Sequence, residues 1–401
     1  MEKTIVLNKF EIQDSLHFIK YMGSKSKIIP FLLEGIQEVY SGGVVCDLFS
    51  GSCTLSGAIG NQVPIMSNDI QAYSSVLAKT YLTDWNDNTI STSELISQAE
   101  EFYKQHYEDL LSEYVYPESC DLKTYNKIEK RNRSFINKTF SNEWHLFTKN
   151  YSGTWWSAEQ CAWIDSLRKV IEDYKSNPAY NTMLSSLMFA MAYCSQGTGH
   201  YAQYRDAKTE SSMKDIQIYR RKSIVVYFKK KMDAAIEQLP KIPCALDHQI
   251  LSGDYKDCLR KMNGGTVYAD PPYCFVHYSR FYHAIETLVL YDYPEIQYKN
   301  GEMVKGRYRE ERHQSPFSIR SQVSSAFKEM FEIIAENGSS LVLSYSDTGM
   351  ITEIELMEIA NDVFKNHIIS IRNIDHQHMT MGRLNDRNRN VKELLLIVKP
   401  I

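Results

Sequence analysis

An acid, two prolines and an aromatic residue follow a short apolar run, as Asp270, Pro271, Pro272 and Tyr273. Consecutive prolines cannot donate hydrogen bonds to a sheet and hold the backbone extended, so they end a strand and leave carbonyl groups free to accept hydrogen bonds. In open α/β sheets the carboxyl ends of the strands face the ligand crevice. There, Asp270 and a proline carbonyl can accept the two hydrogens of an exocyclic amine on a planar heterocycle, while Tyr273 stacks on the ring. The simpler alternative is a strand that ends in a tight turn.

A strand, a turn of small residues and a helix are predicted near the N-terminus. The strand contains Asp47 and leads through Phe49 into a turn at Gly51, where the backbone can pass close to a ligand. Because no Lys-Ser/Thr pair follows that glycine, the turn favours a nucleoside-like cofactor without phosphates. A second strand ends at Asp69, where dinucleotide-binding folds place a carboxylate on a ribose, although a helix-capping acid fits the same pattern.

Two further segments place an aromatic ring beside a charged group. Tyr21, Gly23 and Lys25 precede an apolar helix, and a lysine at this turn can meet a cofactor carboxylate or simply be solvated. Asp254 and Tyr255 end the strand that precedes the proline-containing one. They can bring a second acid and an aromatic ring to an adenine.

The composition limits the class of protein. With 401 residues, 43% of them hydrophobic, the chain fits two domains or one enlarged α/β domain. Its 45 basic and 49 acidic residues mean that any polyanion must bind to local basic patches. The eight cysteines form no Cys-x-x-Cys pair, which predicts neither a zinc site nor a disulfide framework and favours a reducing cytoplasm. No apolar run approaches the roughly 18 residues of a membrane span, so we expect a soluble protein.

One long segment interrupts the α/β alternation. Residues 83–246 are charged and aromatic without regular strands, which predicts a largely helical insertion. Outside it, strands are predicted at 44–49, 63–69, 249–251, 266–268, 341–345, 367–371 and 394–398, with a helix over 322–336. We expect the last two strands to form an antiparallel hairpin at the sheet edge, joined by a loop over 373–390. Residues 1–82 and 247–401 therefore form one domain, into which 83–246 is inserted.

In this order the motifs resemble the D12 class of adenine-N6 DNA methyltransferases, the group of the Dam-type DNA adenine methylases. The matching motifs are Lys20-Tyr21-Met22-Gly23-Ser24-Lys25, Phe49-Ser50-Gly51, Asn68-Asp69, Asp254-Tyr255 and Asp270-Pro271-Pro272-Tyr273. They cover residues 18–82 and 249–400 but not the insertion. The resemblance implies a Rossmann-like fold of the S-adenosylmethionine-dependent methyltransferases, with 1–82 and 247–401 as the catalytic domain and the helical insertion as a target-recognition domain.

The resemblance also assigns roles to individual residues. It implies that Tyr21, Lys25, Asp69 and Asp270 contact S-adenosylmethionine, that Asp254 and Tyr255 form its adenine pocket, and that Asp270, Pro271, Pro272 and Tyr273 are the catalytic tetrapeptide. With the turn and strand residues above, the predicted cofactor-binding residues are Tyr21, Gly23, Lys25, Asp47, Phe49, Gly51, Asp69, Asp254, Tyr255 and Asp270. Many members carry glycine where this chain has Cys53, so the turn must accommodate a side chain, which allows weaker cofactor binding.

The chemistry of adenine methylation agrees with these residues. The adenine amine lends its lone pair to the ring, so accepting its hydrogens at Asp270 and the Pro271 carbonyl favours a more tetrahedral nitrogen that can attack a sulfonium methyl group. Reaching that amine inside a duplex requires base flipping, and stacking on Tyr273 offsets part of the cost. We therefore expect a site-specific methyltransferase of double-stranded DNA, acting in restriction-modification or phage defence with a cognate nuclease or other defence proteins. The alternatives are an RNA adenine methyltransferase of the same fold and a catalytically silent DNA-binding module.

Local basic segments predict where nucleic acid binds. Residues 125–150 contain six basic and two acidic residues, and residues 200–231 contain nine and three, with tyrosines between them. We expect residues 278–283 to form a loop that closes over the flipped base, and the histidine-containing loop 376–383 to face DNA rather than a metal. The predicted nucleic-acid-binding residues are Arg131, Arg133, Lys149, Arg205, Arg220, Arg221, Lys222, Tyr278, Arg280, Arg307, Arg309 and Arg383, and Arg312 and Arg320 are further candidate phosphate contacts.

Overall fold

The computed structural model describes residues 10–13, 15–197, 199–273, 275, 277–379 and 388–401, without the side chains of 375–379 and 388–391. Its strands are β1 (Val45–Asp47), β2 (Ile65–Asp69), β3 (Gln249–Ser252), β4 (Thr266–Ala269), β5 (Tyr298–Lys299), β6 (Glu302–Met303), β7 (Ser340–Ser346), β8 (His367–Met379) and β9 (Asn388–Pro400). Seven of them form one sheet in the order β3-β2-β1-β4-β7-β9-β8, and β5 and β6 form a separate hairpin.

Helices cover both faces of the sheet and make up the segment between β2 and β3. In chain order they are α1 (Ile29–Val39), α2 (Thr54–Ile59), α3 (Ala72–Leu82), α4 (Thr92–His106), α5 (Glu108–Leu111), α6 (Leu122–Arg133), α7 (Leu146–Tyr151), α8 (Ala158–Asp173), α9 (Tyr180–Cys194), α10 (Glu210–Arg220), α11 (Ile224–Gln238), α12 (Tyr255–Leu259), α13 (Tyr278–Phe281), α14 (His283–Leu290), α15 (Val323–Glu336) and α16 (Glu353–Val363). Short 3-10 helices span Lys25–Lys27, Ser134–Asn137 and Pro316–Ser318. Within the described ranges, no helix is both long and apolar enough to cross a membrane.

The strand order places the carboxyl ends of β1 and β4 side by side. β1 pairs in parallel with β2 on one side and β4 on the other, so Asp47 lies opposite Ser67 and Tyr268. The order of the strands along the chain reverses here, and such a switch point in a parallel sheet leaves a crevice beyond the strand ends. Asp69, at the end of β2, and Asp270, directly after β4, therefore reach the same edge as Asp47.

Side chains of the central strands alternate between two hydrophobic layers. Val45 and Val342 pack in the layer that contains α1, α2 and α3, whereas Cys46 and Leu341 pack in the layer that contains α12, α15 and α16. Because both faces are covered, these strands are almost continuously apolar. The predicted α/β fold is confirmed, and its sheet is mostly parallel.

The segment over residues 83–246 is helical, as its composition predicts, and much of its core is continuous with that of the sheet. Helices α9 and α11 share with α3 one hydrophobic cluster that includes Leu77, Leu187 and Phe228. At the junction, Asp84 accepts hydrogen bonds from the backbone N–H and the hydroxyl of Thr182, at 2.7 and 2.9 Å, near the start of α9. These helices therefore extend one layer of the α/β core, and a separate recognition domain stays a prediction.

The last two strands form the predicted antiparallel hairpin, but it is longer than the apolar pattern indicates. β8 continues to Met379 and β9 begins at Asn388, both within the loop predicted over 373–390. Apolar residues mark only the part of a strand that packs on a core, whereas backbone pairing can continue past it. Residues 380–387, with the predicted DNA contact Arg383, lie outside the described part of the chain.

A buried ion pair joins α6 and α10 of the insertion to the loop before α8 and corrects one prediction. Arg220 donates from Nε and Nη2 to the two carboxylate oxygens of Glu129, at 2.9 and 3.0 Å, and from Nη2 to the carbonyl of Thr154 at 2.7 Å. Its side chain is only 1% exposed. Arg220 was predicted to contact phosphate, but a guanidinium so enclosed and paired has a structural role instead.

Replacing Arg220 should therefore destabilise the fold. We expect Arg220→Met to lower the free energy of unfolding by about 3–5 kcal/mol, because it leaves the buried Glu129 carboxylate without its partner. Denaturant titration followed by circular dichroism measures this change. The neighbouring exposed arginine provides the control, and Arg221→Met should change stability by no more than about 0.5 kcal/mol. Equal losses of stability in the two variants would show that the buried ion pair does not stabilise the fold more than an exposed arginine does.

Candidate active site

Two adjoining cavities lie beyond the carboxyl ends of β1, β2 and β4. They share Tyr21, Phe49 and Tyr278 as lining residues. All the residues predicted to bind a cofactor line one or both of them. Phe49, Asp69, Asp254, Tyr255 and Tyr21 line the first, and Tyr21, Gly23, Lys25, Asp47, Phe49, Gly51 and Asp270 line the second.

The turn after β1 brings the backbone close to an aromatic ring. Gly51 has a positive φ of 49°, and a Cβ atom there would lie 2.7 Å from the hydroxyl oxygen of Tyr21. Only glycine combines that conformation with that approach. Its N–H donates to Asp69 Oδ2 at 2.9 Å, and Asp69 Oδ1 accepts from the N–H of Gln71 at 2.9 Å.

The position of Asp69 is compatible with both predicted roles, a helix-capping acid and a ligand contact. It accepts a backbone hydrogen bond at the start of α3, as a capping acid does, and it also lines the first cavity. Burial raises the pKa of its carboxyl, while the hydrogen bonds from Gln71 and Gly51 oppose that rise. A contact with ribose hydroxyls stays a prediction.

The acid of the tetrapeptide lies in a buried cluster of charges. Asp270 Oδ1 is 3.2 Å from the ammonium nitrogen of Lys25, which is 2.5 Å from Glu393 Oε1 on β9. The hydroxyl of Ser344 donates to the same glutamate oxygen. Burial raises the pKa of Asp270 to about 6; the positive charge of Lys25 opposes this rise and the negative charge of Glu393 adds to it.

Glu393 was missed by the sequence reasoning, and it changes the prediction for Lys25. Nothing in the sequence distinguishes Glu393 from an ordinary polar residue at the start of an apolar strand, yet its exposure is 0%. Lys25 was expected to meet a cofactor carboxylate or solvent. Its ammonium instead contacts two protein carboxylates, so solvation is excluded and its part in cofactor binding stays a prediction.

Two tyrosines that line both cavities, Tyr21 and Tyr278, stack with a third, Tyr282. The rings of Tyr21 and Tyr282 lie 4.7 Å apart at 18°, and those of Tyr21 and Tyr278 lie 5.8 Å apart at 29°. Glu286 of α14 accepts hydrogen bonds from the first two N–H groups of α3, at 2.9 and 3.0 Å. The segment after the tetrapeptide was predicted to be a loop, but from Tyr278 it forms α13 and α14 and is anchored to the start of α3.

Cys53 occupies a backbone conformation that favours glycine. Its φ and ψ of 56° and 36° are left-handed, at the residue that precedes α2. The side chain is fully buried, with its sulfur 3.2 Å from the carbonyl oxygen and 3.5 Å from the hydroxyl of Ser74. The turn does accommodate the side chain, but a left-handed conformation costs a non-glycine residue about 1–2 kcal/mol.

Most of the predicted nucleic-acid contacts already have partners within the protein. Carboxylates pair with Arg131, Arg133, Arg205 and Arg309, and backbone carbonyls accept hydrogen bonds from Arg221 and Lys222. Arg307 is 5% exposed and donates to the carbonyl of Asn150, so burial contradicts its predicted phosphate contact. Lys149 lies in α7 and is half-buried. For the partly exposed residues, DNA contact stays a prediction.

No metal site is found among the described side chains, a set that excludes His376 and His378 in the hairpin. The acids at the strand ends are instead arranged around Lys25 and backbone N–H groups. The site therefore presents carboxylates, one ammonium group and aromatic rings to a ligand.

Comparison with known proteins gives consistent matches over most of the chain. A family model described as D12 class N6 adenine-specific DNA methyltransferase matches residues 21–353. The modification methylase LlaI of Lactococcus lactis subsp. lactis is 20% identical over 389 residues, 95% of this chain and 55% of that protein. The modification methylase StsI of Streptococcus sanguinis is 20% identical over 388 residues, 95% and 52% respectively. The type II methyltransferase M.NlaIII of Neisseria lactamica is 22% identical over 355 residues, 85% and 87%. The chain spans about half the length of LlaI and StsI.

The strain at Cys53 predicts an unusual order of stabilities. The free energy of unfolding of Cys53→Gly should be about 1 kcal/mol higher than that of Cys53→Ala. Both variants lack the thiol, but only glycine adopts the left-handed conformation without strain. Chemical denaturation of the two variants measures the difference. The matched control is Cys161, buried within α8, where alanine should be more stable than glycine by about 1 kcal/mol. The same order at both positions would contradict the assignment.

Proposed function

This chain belongs to the D12 class of N6 adenine-specific DNA methyltransferases, and we propose that it transfers a methyl group from S-adenosylmethionine to the N6 amine of adenine in DNA. The observation that carries the proposal is the position of Asp270: the acid of the tetrapeptide lies beside Lys25 in a cavity lined by the residues predicted to bind the cofactor. Two relatives that match 95% of this chain are named modification methylases, which favours a role in restriction-modification.

The charges of the site fit a cationic cosubstrate. Asp270 and Glu393 contact the ammonium group of Lys25, while Asp47 lines the same cavity as Lys25 and Asp69 lines the adjoining one. Burial raises the pKa of Asp47, Asp69 and Asp270, so their negative charges are unfavourable there. S-adenosylmethionine supplies a methyl group on a positively charged sulfur, and it also carries an ammonium group. Positive charge in this cavity would offset the cost of burying these carboxylates.

The other lining residues offer contacts to the adenine and the ribose of such a ligand. Asp254 and Tyr255 with Phe49 offer an acid and two rings to its adenine, and Asp69 offers a carboxylate to its ribose. The side-chain oxygen of Asn68 is buried without a hydrogen-bond donor among the described residues, and this residue lines the same cavity. It provides a further acceptor for a ligand hydroxyl or amine.

Asp270 and its neighbours prepare the target amine. The Asp270 carboxylate and the Pro271 carbonyl accept the two amine hydrogens, which makes the nitrogen lone pair available for attack. Above its pKa of about 6, Asp270 is ionised and able to accept this hydrogen bond. Tyr273 stacks on the extruded base and lies near Lys25, whose ammonium nitrogen is 5.4 Å from the tyrosine ring centroid.

Methylation in a host without DNA methylases tests the proposal. Long-read sequencing of DNA from cells that express this chain should show N6-methyladenine at one recurring sequence. Asp270→Ala should abolish the signal, and Tyr273→Phe should retain more activity than Tyr273→Ala because it keeps the ring. The folded Asp270→Ala protein, checked by circular dichroism, serves as the control. Methylated RNA with unmodified DNA would favour the RNA enzyme, and no transfer or cofactor binding by the wild type would favour the silent module.

The charge cluster predicts opposite pH shifts for two variants. Removing the negative charge in Glu393→Gln should lower the pKa of Asp270 and move the acid limb of the rate profile about one pH unit lower, whereas Lys25→Met should move it higher. Methyl transfer at saturating cofactor, measured from pH 4.5 to 9, reports the midpoint. Ser344→Ala removes a hydrogen bond but no charge and should leave the midpoint in place. A uniform loss of rate without displacement would show that Glu393 acts on structure alone.

A further inference from the structure

Two arginines lie over one buried tyrosine ring beside the first cavity. The guanidinium carbons of Arg280 and Arg312 are 4.7 and 5.1 Å from the ring centroid of Tyr308. Arg280 donates to the hydroxyl of Tyr308 at 3.0 Å, and Arg312 donates to the side-chain carbonyl of Gln297 at 3.1 Å. Tyr308 is itself 2% exposed. The ring and these two hydrogen bonds fix the positions of the guanidinium groups.

These arginines differ from the nearby Arg309 because no acid compensates them. Arg309 pairs with both carboxylate oxygens of Asp292, at 2.8 and 2.5 Å, whereas neither Arg280 nor Arg312 forms an ion pair with a described residue. Nε of Arg280 and both Nε and Nη1 of Arg312 are buried, and no acceptor for them is found among the described atoms. Buried N–H donors without acceptors are costly, so this arrangement calls for an anion.

Like charges converge at the same place. Burial and the positive charge of Arg280 lower the pKa of Arg312, and burial with both arginines lowers the pKa of His277. Such mutual repulsion is unfavourable unless a negative group joins the cluster. A carboxylate from the protein would be the usual solution, but the described part of the chain supplies none within ion-pair distance.

The pair also lies next to the proposed active site. Tyr278 and Ser279, directly before Arg280, line the first cavity, as does His313, directly after Arg312. The hydroxyl of Ser279 donates to the carbonyl of His313 at 2.7 Å and ties the two segments together. An anion held by the arginines would therefore sit at the edge of the cavity rather than on a remote surface.

We propose that Arg280 and Arg312 clamp a backbone phosphate of the DNA strand that carries the target adenine. The inference rests on the proposed function, which it deepens by assigning a site for the backbone next to the extruded nucleotide. A planar guanidinium with free N–H groups matches phosphate oxygens in a bidentate geometry, and its stacking on Tyr308 orients it before DNA arrives. A phosphate contact positions the strand and carries no sequence information, so the clamp should act at every target sequence.

The salt dependence of DNA binding tests the clamp. With the demethylated cofactor product present, the slope of the logarithm of affinity against the logarithm of salt concentration should flatten by roughly 0.9 in Arg312→Gln, as for the loss of one phosphate contact. Arg312→Lys keeps the charge but loses the fork, so it should retain the slope and bind more weakly. Arg372→Gln is the matched control, because Arg372 is exposed and pairs with Glu38, and its slope should equal that of the wild type.

Neutral phosphates locate the contact. On duplexes that contain the mapped target adenine, single methylphosphonates are placed in turn at the phosphates around it. One of these substitutions should lower the DNA affinity of the wild type about tenfold, the loss expected for a charged hydrogen bond. The same substitution should leave the DNA affinity of Arg312→Gln unchanged. Such non-additivity identifies the phosphate that the residue contacts.

The outcomes separate this proposal from the proposed function. A wild type that methylates RNA but no DNA overturns both. A wild type that methylates DNA, with the slope and the methylphosphonate effect unchanged in Arg312→Gln, overturns the clamp alone. Loss of cofactor affinity in Arg312→Gln without a change in DNA binding would mean that the arginines hold the cofactor carboxylate, and that result also overturns the clamp.

Discussion

The ammonium group of Lys25 is the interaction on which the candidate active site depends. It lies between Asp270 and Glu393, at 3.2 and 2.5 Å, where all three side chains are largely removed from water. Without it, two carboxylates would face each other in a poorly solvated cavity, and one would have to take up a proton. Because Asp270 must be ionised to accept the amine hydrogens, Lys25 links the electrostatics of the fold to the proposed reaction. The cluster also joins three separate parts of the sequence: the segment before α1, the end of β4, and β9.

The sequence predicts the parts of this arrangement that are local and leaves out those that are not. Asp270 could be found because an acid before two prolines at the end of an apolar run is a pattern within a few residues. Glu393 could not, because its importance comes from the pairing of β9 with β7, which brings it beside Ser344 and Lys25. The central strands agree with those predicted from the sequence. The hairpin of β8 and β9 is longer than predicted because its distal part lacks an apolar pattern.

The same limit explains the predictions for the arginines. A basic segment shows how many charges are present but not which of them have partners inside the protein. Arg220 and Arg221 are neighbours in the sequence, yet one is buried against Glu129 and the other is exposed. Arg280 and Arg312 are distant in sequence, yet they share one tyrosine ring. The tertiary structure therefore separates arginines that maintain the fold from those with donors left for a ligand.

The shared core of the insertion and the sheet constrains which parts of the insertion can vary between relatives. Asp84 holds the start of α9, and α9 and α11 contribute to the cluster that buries α3, whose first N–H groups are bound by Glu286. Asp69, at the end of β2, accepts a hydrogen bond from the residue preceding α3. A change in α9 or α11 would thus reach the cofactor side of the site through α3. Exchange of insertion segments between relatives should therefore succeed when it retains α4, α9 and α11 and replaces α5, α6 and α10 together. These three helices contribute to smaller clusters, and Glu129 of α6 pairs with Arg220 of α10. Replacing the whole of 83–246 would also replace one side of the core on which α3 packs, and with it part of the support for the active site.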